Sequence, residues 1–176
     1  GYRAALRARG FVEIFTPKIV ASATEGGANV FAIDYFGREA YLAQSPQLYK
    51  QILVGVFERV FEVGPVFRAE PHDTPRHLNQ YYSLDAELGF IDDHTTVMAL
   101  IERVISGMLE AVKEEAEADL ALAQCQLPDV PARLPVVDFV EAQKLIQAAT
   151  GESVVGEPDL APGHERVAGL GGLHEF

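Results

Sequence analysis

An α+β domain, an antiparallel β-sheet with flanking helices, is the fold class that this sequence predicts. Three observations predict it. A β-rich stretch at Arg59–Phe67 and another at about Gln80–Phe90 are separated by a polar loop with no room for a crossover helix, so they pair antiparallel. A second strand pair, Val30–Asp34 and Glu39–Ala43, is joined by a tight turn at Phe36-Gly37. Downstream, Val97, Leu100, Ile101, Val104, Ile105, Met108 and Val112 recur at intervals of three and four, the spacing of one helical face.

The remaining elements follow in chain order. Tyr2 to Arg9 reads as the end of a helix that Gly10 stops. Phe11-Val12-Glu13-Ile14-Phe15-Thr16-Pro17 is β-rich and ends on a residue that cannot donate to a sheet. Ser22 to Asn29 is a small-residue loop with a Gly26-Gly27 pair. Ser45-Pro46 opens a helix with serine at the cap and proline at the first position, and Leu48, Ile52 and Val56 form its predicted apolar face. Gly64-Pro65 is expected to interrupt the Arg59–Phe67 strand. The long helix starting near Thr95, helped by His94, runs into the acidic stretch Glu114–Asp119, read as a solvated helix end. A weak strand at Leu134–Phe139, a short helix to about Ala149 and Gly/Pro-rich coil complete the chain.

With 176 residues, 48% hydrophobic, 23% charged and 9% aromatic, the chain has the profile of one globular domain. No apolar run reaches the length of a membrane span, and the first seven residues lack the apolar core of a signal peptide. The chain is therefore expected to be cytoplasmic, with no membrane partner. The first residue is Gly1, so the chain is expected to begin inside a longer reading frame. A single cysteine, Cys125, excludes a disulfide framework and is expected to be inert. The formal charge of −12 is uneven: residues 1–90 carry nine Lys/Arg against ten Asp/Glu, and residues 91–176 carry five against sixteen. The acidic second half repels phosphate backbones, whereas the near-neutral first half suits a compact anionic ligand.

The residues that carry chemistry are charges set among apolar strands. Arg68 and Glu70 close the strand Val60-Phe61-Glu62-Val63-Gly64-Pro65-Val66-Phe67, and their spacing of two assigns them to one face. Arg76-His77 stands across the loop, and Asp85 and Glu87 share a face of the returning strand. An arginine fork suits phosphate or carboxylate, and a nearby glutamate orients it or accepts from an amino group. From spacing alone the same pattern also describes an ion-pair ladder across a hairpin. Gln47 and Lys50 lie three apart on one helical face. A lysine so near a helix N-terminus is unfavourable unless an anion is bound there, though a solvated lysine behind a good cap fits as well. Glu25, in the glycine-rich loop, is either a ligand for an ammonium group or solvated. His72, Asp73 and His77 lack a third ligand at metal-binding spacing and are not read as a metal site.

Together these segments resemble the class II aminoacyl-tRNA synthetases. Phe67-Arg68-Ala69-Glu70, Arg76-His77-Leu78-Asn79 and Asp85-x-Glu87 are similar to motif 2, about residues 66–90, and Gly10 to Pro17 is similar to motif 1, about residues 1–17. Thr24-Glu25-Gly26-Gly27-Ala28 and Gln44-Ser45-Pro46-Gln47-Leu48-Tyr49-Lys50-Gln51 resemble the aspartyl-tRNA synthetases, especially their archaeal-type branch. The resemblance is dense through residue 110 and loose beyond it, across the acidic helical and coil segment 91–176.

That resemblance implies a partial class II catalytic core that activates L-aspartate with ATP to aspartyl-adenylate for transfer to tRNA, and that dimerises through the motif 1 region. It implies that Arg68 bridges the α-phosphate and the substrate carboxylate, Glu70 meets the adenine amino group, and Arg76 meets the γ-phosphate. His77 and Leu78 belong to the ATP loop and Tyr81 lies under adenine. Glu25 faces the substrate ammonium, with Gln47 and Lys50 around the aspartate carboxylates. The Mg²⁺ ligands, the aspartate-reading arginine and the motif 3 arginine are expected downstream of this chain, and the anticodon-binding domain upstream. Gly169-Leu170-Gly171-Gly172-Leu173-His174 mimics motif 3 but has histidine in place of arginine and is not read as that motif. Gln80 stands where the family usually shows glutamate. Two alternatives stay open: a paralogue that makes aspartyl-adenylate without tRNA, as an asparagine synthetase does, and a catalytically inactive remnant that serves in binding or dimerisation.

Overall fold

A computed structural model describes residues 1–23, 29–71, 77–131, 133–161 and 163–164. Glu25 and Arg76, and with them His72, Asp73 and the stretch 169–174, lie outside the described residues. The chain divides into two compact units, Gly1–Pro128 and Asp129–Phe176.

The first unit contains α1 (Tyr2–Arg7), β1 (Val12–Glu13), β2 (Ile19–Val20), β3 (Ala32–Tyr35), β4 (Arg38–Leu42), α2 (Gln47–Phe57), β5 (Arg59–Phe67), β6 (Gln80–Leu88), α3 (His94–Glu115) and α4 (Glu117–Leu122). Its strands form two three-stranded sheets, ordered β1-β5-β6 and β2-β4-β3. Every pairing is antiparallel except β1 with β5, which runs parallel from Val12↔Val60 to Glu13↔Phe61. The sheets join where the Phe67 amide donates to the Ala43 carbonyl at 2.9 Å.

Local chemistry explains the turns. After α1, the Phe11 amide donates to Leu6 O and the Gly10 amide to Arg7 O, the two bonds of a Schellman closure, with Gly10 at φ +78°. Leu6 and Phe11, the apolar pair that accompanies such a closure, are both buried in the core. Between β3 and β4, Phe36 and Gly37 both adopt positive φ, as a two-residue type I′ hairpin requires, and the Gly37 amide donates to Asp34 Oδ1 at 2.8 Å. Asp93 caps α3 by accepting from the Thr95 amide at 2.8 Å, and the two Thr95 hydrogen bonds, side chain first, hold its carboxyl below the usual range.

The β5–β6 hairpin pairs in unbroken register from Arg59↔Leu88 to Phe67↔Gln80, so Gly64-Pro65 does not interrupt the strand as predicted. The reason is geometric. Phe61 and Phe67 direct their backbone groups away from β6, toward Ile14 and Ala43, so Pro65, at the same parity, lacks its N–H on the side that β6 does not use. On one face of this hairpin Phe61 packs with Ala5, Leu6, Phe11 and Val104, and the Tyr2 ring meets it edge-on at 6.0 Å. Burial of Tyr2, with Asp85 a lesser cause, raises its phenol to about 12.

Helix α2 corrects a second expectation. The predicted apolar face is turned outward, with Leu48 47%, Ile52 68% and Val56 69% exposed, whereas the buried residue of the helix is Lys50. The helix also starts one residue late. Pro46 is its cap residue, and Ser45 Oγ accepts from the Gln47 amide at 3.2 Å.

The second unit is built on α5 (Phe139–Thr150), capped by Asp138 and ended by Gly151 in the left-handed region. Gln143 is buried with both its amide atoms bonded, donating to Glu157 O at 2.7 Å and accepting from the Gly156 amide at 3.1 Å. The strand expected at Leu134–Phe139 is absent among the described residues. Residues 134–138 are irregular, and Phe139 begins the helix.

Candidate functional site

Strand alternation sorts the hairpin into two faces. Phe61, Val63, Ala86 and Leu88 belong to the core face. The opposite face carries Glu62, Gly64, Val66 and Arg68 on the β5 side and Tyr81, Ser83, Asp85 and Glu87 on β6. Helix α2 presents Lys50 to this second face. The ammonium sits 2.8 Å from Asp85 Oδ1 and 3.6 Å from Glu87 Oε2, and the lysine is only 6% exposed. A buried ammonium without an anion would be strongly destabilising, so the two strand carboxylates explain how a lysine can share the inward face of α2 with the half-buried Leu53 and Val54. The Asp85 contact uses one of its three N–H donors, and Glu87 lies beyond hydrogen-bond distance.

Arg68 stands at the neck of the hairpin, its amide bonded to the Asn79 carbonyl at 3.0 Å. Its guanidinium carbon lies 6.0 Å from the centre of the Tyr81 ring, so the residue expected under adenine lies at the outer reach of a cation–π approach to the arginine. Asn79 also accepts from the Glu70 amide through Oδ1 at 3.0 Å, and the Ala69 amide donates to the Asn29 carbonyl at 2.9 Å. The two ends of the loop are thereby tied to each other, and the first of them to Asn29. The Glu70 amide further donates to the Arg68 carbonyl at 2.8 Å, a turn closed over three residues. The chain thus turns at Ala69, one residue past the last ladder bond, so the strand alternation behind a shared Arg68–Glu70 face does not reach Glu70, which corrects that expectation. His77 and Leu78 are exposed beside the neck, and Gln47 is half-buried at the start of α2. The structure thus brings Lys50, Arg68, Tyr81, Asp85 and Glu87 to one sheet face.

Two residues on that face escaped sequence reasoning. Glu62, 3% exposed, accepts from the Thr16 amide at 3.1 Å and from Lys18 Nζ at 2.9 Å through Oε1, and from Thr16 Oγ1 at 2.6 Å through Oε2. The signal was present in Val60-Phe61-Glu62-Val63, a carboxylate inside a fully apolar run, which must be paired if buried. Lys18 had no comparable signal. Among the described residues no group of three or more His, Cys, Asp or Glu side chains is placed to hold a metal ion, and no helix is long and apolar enough to cross a membrane.

This frame has close counterparts among solved structures. An asparaginyl-tRNA synthetase from Pyrococcus horikoshii, complexed with asparaginyl-adenylate, matches with a TM-score of 0.83 at 32% identity, over 95% of this chain and 39% of that one. The fold is that of a class II aminoacyl-tRNA synthetase. Residues 1–168 match the family of class II tRNA synthetases for D, K and N, and the chain belongs to that family. It is 54% identical over 166 residues to an aspartate–tRNA(Asp/Asn) ligase of Deinococcus radiodurans, covering 94% of this chain and 38% of that protein. A Thermus thermophilus enzyme of the same name is 47% identical over 169 residues, 96% of this chain and 40% of that protein. The chain therefore spans about two-fifths of the length of these relatives.

Proposed function

We propose that the protein carrying this chain activates L-aspartate with ATP and transfers the aspartyl group to tRNA. In the activating step an aspartate α-carboxylate oxygen attacks the α-phosphorus of ATP, and the bond from that phosphorus to the bridging oxygen breaks, releasing pyrophosphate. No side chain need become a nucleophile. Catalysis consists of holding two anions in line and stabilising charge on the phosphoryl oxygens.

Arg68 is the residue for that charge, bridging the α-phosphate and the attacking carboxylate. Glu70 and Tyr81 hold adenine, Arg76 takes the γ-phosphate, and His77 and Leu78 complete the ATP loop. Glu25 takes the substrate ammonium, and Gln47 and Lys50 surround the aspartate carboxylates. Mg²⁺, held by carboxylates outside this chain, would neutralise phosphate charge. The protein works in the cytoplasm as a homodimer through Gly10–Pro17, a reading supported by Phe15, which is 80% exposed in that segment.

The observation that carries the reading is Lys50. It is a buried cation with donor capacity to spare, on the sheet face that also bears Arg68, and a carboxylate accepts from it more strongly than a neutral amide does. The high identity to enzymes named for aspartate supports the same choice. The test is aspartate-dependent ATP–pyrophosphate exchange. Arg68→Ala is expected to lower the exchange rate by at least about 10²-fold. Exchange near the wild-type rate in that variant would reduce Arg68 to a hairpin residue.

A further inference from the structure

Glu62 and Asp85 stand directly opposite each other in the β5–β6 register, on the same face. Directly opposed residues have Cβ atoms only about 5 Å apart, and like charges so placed repel. Each therefore has its own cation from outside the hairpin: Lys18 at 2.9 Å from Glu62, and Lys50 at 2.8 Å from Asp85. The result is a row of two ion pairs set back to back across the sheet, Lys18–Glu62 and Asp85–Lys50, with the two carboxylates in the middle and a lysine at each end. Gly64 makes room for its outer end, since a Cβ there would lie 3.1 Å from Glu62 Oε1 and 3.4 Å from Lys18 Nζ.

We propose that Glu62 is a positioning residue for the amino-acid pocket: by engaging Lys18, it keeps that second ammonium from competing with Lys50 for Asp85. The Lys18 side chain is only 22% exposed, so without Glu62 its charge would need another anion, and the carboxylate directly across the ladder is Asp85. Asp85 would then be divided between two lysines, and Lys50 would lose the partner that orients it. Glu62 also holds the Thr16 amide and hydroxyl, so a purely structural role must be separated from the electrostatic one.

The inference rests on the aspartate-activating reading for its functional consequence but not for its structural one, and the experiment keeps the two apart. In the full-length protein, the coupling between Lys50→Met and Asp85→Asn is measured by urea unfolding in three backgrounds: wild type, Glu62→Gln, and Glu62→Gln with Lys18→Met. A non-additivity of about tenfold or more in the unfolding constant is expected in wild type, near unity in Glu62→Gln, and restored in the double background. In parallel, Glu62→Gln is expected to raise KM for aspartate about tenfold while KM for ATP stays within about twofold, and adding Lys18→Met reverses the rise. Thr16→Val, which cuts one tie to Glu62 while keeping both charges, leaves the coupling intact. Unchanged coupling in Glu62→Gln, or failure of Lys18→Met to restore it, overturns the proposal. Loss and rescue of coupling in a protein that shows no aspartate-dependent exchange would uphold the charge row and overturn the functional reading instead.

Discussion

Replacing Lys50 by methionine removes one charge from a buried cluster and leaves side-chain volume nearly unchanged. Two carboxylates remain, with Asp85 and Glu87 side chains 16% and 30% exposed, and neither keeps its cation. Removing one partner of a buried ion pair costs about 3–5 kcal/mol. Glu87, at 3.6 Å and with more access to water, recovers solvation, which sets the expectation at the lower end, about 3 kcal/mol. With a urea slope of about 2 kcal/mol/M, the unfolding midpoint should fall by about 1.5 M. Aspartate binding should weaken far more than ATP binding. A stability loss below about 1 kcal/mol would show that the lysine is solvated and not sealed between the strands. Equal losses of aspartate and ATP affinity would show that it lies outside the amino-acid pocket.

Two further perturbations test the packing that supports the site. A Cβ at Gly89 would lie 2.4 Å from Val54 Cγ1, so Gly89→Ala must displace the Val54 side chain from its place between α2 and the end of β6; a loss of about 1–3 kcal/mol is expected in urea unfolding, and a neutral substitution would refute the close approach. The folded-state pKa of Tyr2, about 12, lies above its ordinary 10.0, so the neutral phenol contributes stability below pH 10 that is lost as pH rises toward 12. Tyr2→Phe should flatten that part of the stability profile, and an unchanged alkaline limb would place the Tyr2 hydroxyl in solvent.

What could be read from the sequence was whatever local chemistry decides. Gly10 as a helix stop, Phe36-Gly37 as a hairpin turn and the 59–90 strand pair all follow from signals within a few residues, and each stands in the structure. The parallel β1–β5 pairing joins segments 48 positions apart, Val12 with Val60, and has no local signature. Helix α2 misled for a different reason. Its Leu48, Ile52 and Val56 spacing marks an apolar stripe correctly, but a stripe does not say which side faces the sheet. The pairing of Lys50 with Asp85 and Glu87, together with the packing of Leu53 and Val54, turns the other side inward. The same holds for the site itself. Arg68, Asp85 and Glu87 were legible as charges in apolar strands, whereas the bond between Glu62 and Lys18 depends on a tertiary approach that no spacing encodes.

The placement of Pro65 has a consequence for how the two sheets meet. Along the side of β5 away from β6, β1 covers the strand only as far as Phe61, and three backbone positions of the same parity follow: Val63, Pro65 and Phe67. Pro65 has no amide hydrogen to offer, and that of Phe67 is held by Ala43. The segment from Ile14 to Lys18 and Ala43 flank this margin, bonded to Phe61 O, to the Glu62 side chain and to the Phe67 amide, so a missing donor at Pro65 leaves no ladder bond unmade there. Pro65 thus denies this side of β5 one amide donor while leaving the pairing with β6 complete.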